Sequence, residues 1–273
     1  MRNDYAIFVS SADSYSDLWP AFFTLVERMW PGYGGRIYLN TQEKTFSHPG
    51  LDIVCTQVGQ LGAFGATLKA GLRQVEEENV LFLMVDYLLM GPVDEKRLAE
   101  HYEHFREQGL DGLILACQFW VNEKESRHPD FVAFAPPAVH RLFSFQAGFW
   151  KKDVLLALTL DHENPWMGEW FGDMRAVKMG LIIESLRREV VKPIPYDGRG
   201  CLHQGYWLQN AREWLDEQGI AVDYSRRGLY EEHEVYKTWR FRLKVKWMIW
   251  KTGLKGSYWD LLRRKSLHTP AQK

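Results

Sequence analysis

Six consecutive apolar residues, Val80 to Val85, run directly into a carboxylate, Asp86. A run this short and fully apolar is typical of a strand buried on both faces of a parallel sheet. Before it, strand-like and helix-like segments alternate in the order Tyr5 to Ser10, Leu18 to Met29, Arg36 to Asn40, Asp52 to Val58 and Ala66 to Glu77. This alternation predicts an α/β fold around a mainly parallel sheet.

The pattern continues less regularly after Asp86. We expect the remaining elements in this order: a helix at Asp94 to Gln108, a strand at Leu113 to Val121, a strand or turn at Phe143 to Trp150, a helix at Lys152 to Leu160, a helix at Glu169 to Gly180, a strand at Leu181 to Arg187 and a helix at Trp207 to Gln218.

Composition places the chain among folded proteins. Hydrophobic residues make up 46% and charged residues 25% of its 273 residues, which excludes a disordered or collagen-like chain. The length allows two domains or one large α/β unit. The longest apolar run, Val80 to Gly91, covers 12 residues and is interrupted by Asp86, so no membrane-spanning helix is expected.

The N-terminus and the cysteines bear on where the protein works. The first residues contain no small-residue cleavage site of a secretory signal. The three cysteines, Cys55, Cys117 and Cys201, form no Cys-x-x-Cys pair. We therefore expect a cytoplasmic protein with reduced, buried cysteines.

Charge is distributed unevenly along the chain. Residues 237–265 carry a formal charge of +9, whereas residues 1–236 carry −11. Apolar and basic residues alternate strictly from Trp239 to Trp247, which suits the interface of an anionic membrane. Nucleic-acid binding, or a solvated face packed on the body, are the alternatives. We expect a domain at 1–236 and a basic, aromatic tail at 237–273.

Polar residues follow two of the predicted strands. Asp86 and Tyr87 end the central strand, where ligands of open parallel sheets bind. Asp86 either serves a ligand or caps a turn. Ser10, Ser11 and Asp13 follow the first strand, where they either hold a ribose, base or phosphate or cap a helix. Neither a dinucleotide-binding glycine motif nor a P-loop is present.

Several later segments also carry candidate ligand contacts. Gln60 and Gly62 lie in a loop that allows close backbone approach. Aromatic rings at Trp150 and Trp166 stand among amides and carboxylates, which points to carbohydrate unless these rings are core residues. The segments concerned run from Gln146 to Asp153 and from Glu163 to Trp170.

Histidines give no clear metal site in the sequence. His101 and His104 stand three residues apart on a helix rich in Glu and Arg, so we expect them on a solvated face. His203 lies in a glycine-flanked loop, where it either reaches a phosphate or is a satisfied loop residue.

Taken in order, these segments resemble the bacterial GT-A-fold glycosyltransferases of lipopolysaccharide and capsule synthesis. The match covers about residues 5 to 210. It rests on the strand ending at Ser10 with the helix from Asp17 to Leu25, on Arg36-Ile-Tyr-Leu-Asn40, on Val85-Asp86-Tyr87, on Gln146-Ala-Gly-Phe-Trp150-Lys-Lys-Asp153 and on Asn164-Pro-Trp166-Met-Gly-Glu169.

The resemblance implies a GT-A-like, Rossmann-related mixed sheet flanked by helices, and an enzyme that transfers a sugar from a nucleotide-sugar donor to a glycan or lipid-linked acceptor. Nucleotide-sugar contacts are then expected from Ser10, Ser11, Asp13, Gln60, Gly62, Asp86, Tyr87 and His203. Acceptor or sugar contacts are expected from Gln146, Trp150 and Trp166.

The family's acidic motif usually holds a divalent metal with two carboxylates, whereas the matching stretch here has Asp86 alone. Both Mg²⁺ or Mn²⁺ at Asp86 and metal-independent transfer therefore stay open. For an inverting displacement, Glu169 is the expected general base, acting with Asp86. Because we expect a helix to begin near Glu169, its N-terminus should favour the ionised carboxylate.

The resemblance also implies partners and a location. We expect the enzyme on the inner face of the membrane, held peripherally by residues 237–265, with no nucleic-acid partner. The alternative is a non-catalytic nucleotide- or glycan-binding module on the same fold.

Overall fold

A mixed sheet forms the centre of the protein in a computed structural model, which describes residues 4–118, 123–134 and 142–231. Its strands are β1 (Tyr5–Ser10), β2 (Arg36–Leu39), β3 (Asp52–Cys55), β4 (Asn79–Met84), β5 (Gly112–Ile114), β6 (Glu123–Glu125), β7 (Phe131–Phe134), β8 (Gly148–Lys151) and β9 (Ile183–Leu186). A separate hairpin pairs β10 (Leu202–His203) with β11 (Tyr206–Trp207). The helices are α1 (Trp19–Met29), α2 (Phe64–Leu72), α3 (Glu95–Glu107), α4 (Lys152–Leu158), α5 (Pro165–Met179) and α6 (Gln209–Glu217).

The strand order is β3-β2-β1-β4-β8-β5-β9-β7-β6. The first four strands are parallel, and β8 lies antiparallel between β4 and β5. The predicted mixed sheet flanked by helices is confirmed. The expectation of a mainly parallel sheet holds for the first half only, because β7 pairs antiparallel with both β9 and β6.

Each face of the sheet is covered by a separate hydrophobic core. Successive residues of a strand point to opposite faces, so Ile7 and Val9 pack on one side while Phe8 packs on the other. Apolar residues of α1, α3 and α6 join the first core, and those of α2 and α4 join the second. β4 has no polar side chain between Val80 and Leu83, as a strand covered on both faces requires.

The predicted elements differ from the observed ones mainly at their ends. α5 begins at Pro165 rather than Glu169, because the side chain of Asn164 accepts a hydrogen bond from the backbone N–H of Met167 at 2.9 Å. The last helix begins at Gln209, since Trp207 belongs to β11. The strand predicted at Leu113 to Val121 ends at Ile114.

The cysteines are free; Cys201 is buried, whereas Cys55 and Cys117 are only half-buried. No helix in the described part of the chain is both long and apolar enough to cross a membrane. The described residues up to Tyr230 belong to one compact unit. The predicted tail at 237–273 lies outside the described residues.

A buried ion pair holds α5 against α4. Glu163 is fully buried, and its carboxylate accepts hydrogen bonds from two guanidinium nitrogens of Arg175 at 2.9 and 2.6 Å. The same carboxylate accepts the backbone N–H of Leu160 at 2.9 Å. Arg175 also donates to the carbonyl of Leu158, the last residue of α4. These bonds fix the start of α5, which carries Trp166 and Glu169.

We predict that Arg175→Met destabilises the protein by about 3–5 kcal/mol, because it leaves the Glu163 carboxylate buried without its cation. Urea unfolding followed by circular dichroism measures the change. Lys96→Met is the control, since Lys96 pairs with Glu100 on the exposed surface of α3 at 3.9 Å. A loss for Arg175→Met no larger than that for Lys96→Met would contradict the prediction.

Candidate active site

Asp86 follows β4 at the edge where the parallel strands β1 to β4 end. Its side chain is half-buried, and Oδ1 is enclosed without a hydrogen-bond partner in the described part of the chain. Burial raises the pKa of the Asp86 carboxyl to about 6. The Oδ1 atom is therefore available to a hydrogen-bond donor or a cation, since none of the described residues binds it.

The segment 192–201 packs against Asp86 through Gly200 and Cys201. Gly200 has a φ of +79°, and a Cβ at this position would lie 2.6 Å from Oδ2 of Asp86. The backbone N–H of Cys201 donates to the carbonyl of Asp86 at 2.7 Å. Only glycine therefore allows so close an approach in this conformation.

Asp197 shares a small cavity with Asp86, of about 10 Å³, which is roughly the size of one water site. The carboxylate of Asp197 accepts hydrogen bonds from Arg199 at 2.7 Å and Asn210 at 2.9 Å. Sequence reasoning missed Asp197. It lies between β9 and β10, outside the helices and strands, where periodicity gives no signal.

A polar cluster forms beside Asp86, around Tyr87. Gln146 Nε2 donates to the Tyr87 hydroxyl at 2.9 Å, and the Tyr196 hydroxyl donates to Gln146 Oε1 at 3.0 Å. The rings of Tyr87 and Tyr196 stack with centroids 4.7 Å apart. Burial raises the pKa of Tyr87, and the charges of Asp86 and Glu169 add to this effect.

Glu169 belongs to the same neighbourhood. Its Oε1 accepts the backbone N–H of Phe145 at 2.8 Å, one residue before Gln146. The structure thus brings together Asp86, Tyr87, Gln146 and Glu169, four residues selected from the sequence. Glu169 lies in the second turn of α5, so the expected effect of the helix N-terminus on its charge is small.

Lys192 adds a cation that sequence reasoning did not single out. Its Nζ lies 4.1 Å from the centre of the Tyr196 ring and donates to the carbonyl of Tyr196 at 3.1 Å. Burial lowers the pKa of Lys192, and the charge of Asp197 opposes this shift. An ammonium group held in this way is available to an anion.

The turn after β1 is built around Asp13. Its carboxylate accepts the backbone N–H groups of Gln42, Glu43 and Lys44 at 2.8, 2.9 and 3.0 Å. Burial acts to raise the pKa of Asp13, but these donors bring it below the ordinary value. The side chain of Gln42 donates to Gln60 Oε1 at 3.2 Å. Asp13 and Gln60 are therefore neighbours through Gln42, which the sequence did not indicate.

Trp19 and Tyr15 lie next to this turn. Ser11 Oγ accepts the indole N–H of Trp19 at 2.8 Å. Burial raises the pKa of Tyr15, and the next contribution comes from the charge of Asp86.

Other predicted site residues lie elsewhere. Trp150 is fully buried and packs edge-on against Phe143, so its interpretation as a sugar platform is wrong. The Ser10 side chain is also buried and inaccessible to a ligand. His203 is exposed on the β10–β11 hairpin, beside the ring of Tyr230.

Gly62 and Trp166 are both accessible to a ligand. Gly62 has a φ of +72° and open space around it. Trp166 is 77% exposed at the start of α5, which leaves its ring free to stack on a ligand.

The chemistry of this edge fits a divalent metal poorly. Mg²⁺ and Mn²⁺ favour a shell of oxygen ligands. Asp86 offers one oxygen without a partner in the described residues, whereas the oxygens of Asp197 are bound by Arg199 and Asn210. The side chains that the structure describes at this edge do not by themselves complete a shell.

No protein-family model matches the chain, and no curated protein matches it. Among solved structures, residues 1–349 of TarS from S. aureus are similar over 68% of this chain and 58% of that chain, with 14% identity and a TM-score of 0.47. The same protein in complex with UDP-GlcNAc is similar over 82% of this chain and 69% of that chain, with 13% identity and a TM-score of 0.42.

The 2-C-methyl-D-erythritol 4-phosphate cytidylyltransferase from Thermus thermophilus is similar over 78% of this chain and 98% of that chain, with 12% identity and a TM-score of 0.44. In the first of these comparisons the match spans less than two thirds of the TarS chain.

We predict that Asp86→Asn stabilises the protein at pH 7 relative to wild type and loses this advantage near pH 4. The pKa of Asp86 rises on folding from 3.8 to about 6. Stability is therefore lost as the pH rises from about 4 to 6, and the loss reaches roughly 3 kcal/mol above pH 6, whereas the protonated group at low pH costs none.

Urea unfolding from pH 4 to pH 8 measures this difference, and Asp153→Asn on the exposed face of α4 controls for the loss of one carboxylate. A stability difference between Asp86→Asn and wild type that does not change with pH would contradict the prediction.

Proposed function

We propose that this chain is a glycosyltransferase that moves a sugar from a nucleotide-sugar donor to a hydroxyl of a glycan or lipid-linked acceptor. The observation that carries the proposal is the convergence of Asp86, Tyr87, Gln146 and Glu169 at the carboxyl edge of the parallel strands. Ligands of open α/β sheets bind at this edge. The carboxylates of Asp86 and Glu169 and the ammonium group of Lys192 suit the transfer of a sugar from a nucleoside diphosphate.

The donor nucleoside is assigned to the turn after β1. Ser11 and Asp13 lie in this turn, and Gln42 joins Asp13 to Gln60. Lys44 Nζ lies within the same turn, where it donates to Ser16 Oγ at 2.7 Å. This arrangement supports contacts to a base and ribose.

The donor sugar is assigned to Asp86 and Gln146. Oδ1 of Asp86, which has no partner among the described residues, accepts a hydroxyl of the sugar or ribose, and this bond compensates the cost of burying the carboxylate. As the bond to the leaving phosphate breaks, negative charge develops on the nucleoside diphosphate. The ammonium group of Lys192 meets this charge.

Glu169 takes the proton from the acceptor hydroxyl in an inverting displacement at the anomeric carbon. The exposed ring of Trp166, one turn earlier on α5, supports the acceptor by stacking on a sugar face. Both residues are held by the anchored start of α5, so their spacing is fixed before substrate binds.

We predict that Glu169→Gln lowers kcat by about 10²–10⁴-fold while donor affinity changes little, because only the proton acceptor is lost. Turnover is measured with the donor that the wild type selects. Glu213→Gln, a change on α6, is the matched control. Near-normal turnover of Glu169→Gln would remove this residue from the role of base.

The donor is found by thermal shift with UDP-, GDP-, dTDP- and CMP-sugars, each with EDTA and with Mn²⁺. A selective ligand at 100 times its Kd adds roughly 2.7 kcal/mol of stability. Slow hydrolysis of that donor without acceptor supports an enzyme, whereas binding without any turnover supports a non-catalytic module. Stabilisation by a nucleoside triphosphate alone would favour nucleotidyl transfer instead.

We also propose that residues 237–265, which lie outside the described part of the chain, attach the enzyme to an anionic membrane surface. Their charge of +9 and interspersed tryptophans support this role. Deletion of residues 237–273 is predicted to abolish co-sedimentation with vesicles that contain anionic phospholipid. Wild-type binding should also weaken as salt increases. Unchanged binding after the deletion would exclude the membrane role.

A further inference from the structure

His101 and His104 do not lie on a solvated face as predicted. Their side chains are 0% and 6% exposed. Both lie on α3 and face the turn 126–130, which precedes β7. The proposed transfer does not explain why these two imidazoles are buried.

Three side chains of this cluster have the geometry of metal ligands. His101 Nε2 and Asp130 Oδ2 lie 2.9 Å apart. His128 packs against His101 with ring centroids 5.5 Å apart. One ligand atom from each of His101, His128 and Asp130 lies within 4.8 Å of the other two. Among the residues that the structure describes, no other group of three histidine, cysteine, aspartate or glutamate side chains has this spacing.

His101 carries a further sign of an incomplete environment. Its Nδ1 is buried and has no hydrogen-bond partner within the described ranges. Buried polar atoms without partners are rare in folded proteins, so the described residues leave the hydrogen bonding of the His101 ring incomplete.

The chemistry of the three side chains suits a cation. A neutral imidazole offers a lone pair on one ring nitrogen, and a carboxylate adds a negative charge. Two neutral imidazoles and one carboxylate form a donor set that zinc favours.

Two further charged side chains, Glu184 and Arg97, lie next to this cluster. His104 Nε2 lies 2.8 Å from Glu184 Oε2, and the His104 ring packs 5.1 Å from that of His128. This second carboxylate adds negative charge next to the three ligands. Arg97 Nε lies 3.3 Å from Asp130 Oδ2, but its side chain is 36% exposed and can turn to solvent when a cation binds.

We propose that His101, His128 and Asp130 bind Zn²⁺, with one nitrogen from each imidazole and one carboxylate oxygen as ligands. The ion takes the place of the proton between His101 Nε2 and Asp130 Oδ2, and the ring proton moves to Nδ1, so that the imidazole remains a neutral ligand. Water completes the shell. The site fastens the turn 126–130 to α3, so its effect is on stability and not on sugar transfer.

Zinc binding is measured with the full-length protein by competition with a fluorescent chelator and by thermal melting. The wild type is expected to bind one Zn²⁺ per chain and to melt at a higher temperature with Zn²⁺ but not with Mg²⁺. His128→Gln and Asp130→Asn should each weaken binding by more than about tenfold, since even supporting partners of metal ligands contribute that much.

Two controls separate this site from others. His162→Gln, on an exposed position before α5, should bind Zn²⁺ as the wild type does. Asp86→Asn should also retain binding, which separates the site from the proposed transfer site. The absence of zinc binding in the wild type, or equal affinity in wild type, His128→Gln and Asp130→Asn, would overturn the proposal.

Discussion

The burial of the Asp86 carboxylate is the constraint around which the functional edge is organised. Placing a carboxylate at the end of a fully apolar strand costs free energy unless a donor or cation compensates it. The described part of the chain leaves Oδ1 unpartnered, and burial raises the pKa to about 6. The two hydrophobic cores on either side of β4 supply the stability that tolerates this cost. A substrate that donates a hydrogen bond to Asp86 therefore binds more tightly, because this bond offsets the cost of burying the carboxylate.

The strands and the position of Asp86 could be predicted from sequence because both depend on local patterns. A short apolar run bounded by polar residues identifies β4, and the parallel arrangement places its last residue at the ligand-binding edge. Asp197 and Lys192 were not predictable in the same way. They reach the edge on an irregular segment more than a hundred residues later, where neither periodicity nor spacing indicates a contact with Asp86.

The residues that were misjudged show how tertiary packing overrides residue type. Trp150 stands in a polar-looking segment, yet it lies in β8, which is covered on both faces. On α3, the buried residues Leu98, Tyr102 and Phe105 follow helical spacing, and His101 falls on the same stripe. That spacing was the available sign that His101 is buried. Its partners His128 and Asp130 follow about 28 residues later, a separation that no helix pattern could connect.

The antiparallel strand β8 explains how one edge collects residues from both halves of the chain. In a purely parallel sheet, the residues before a strand lie at the edge opposite to the ligand-binding one. Because β8 runs against β4, with Gly148 opposite Phe82, the residues just before β8 meet those just after β4. Gln146 therefore lies beside Tyr87, and the hydrogen bond from Phe145 brings Glu169 of α5 to the same place. Reversal of a single strand thus brings Gln146 and Glu169 to the edge where the parallel strands of the first half end.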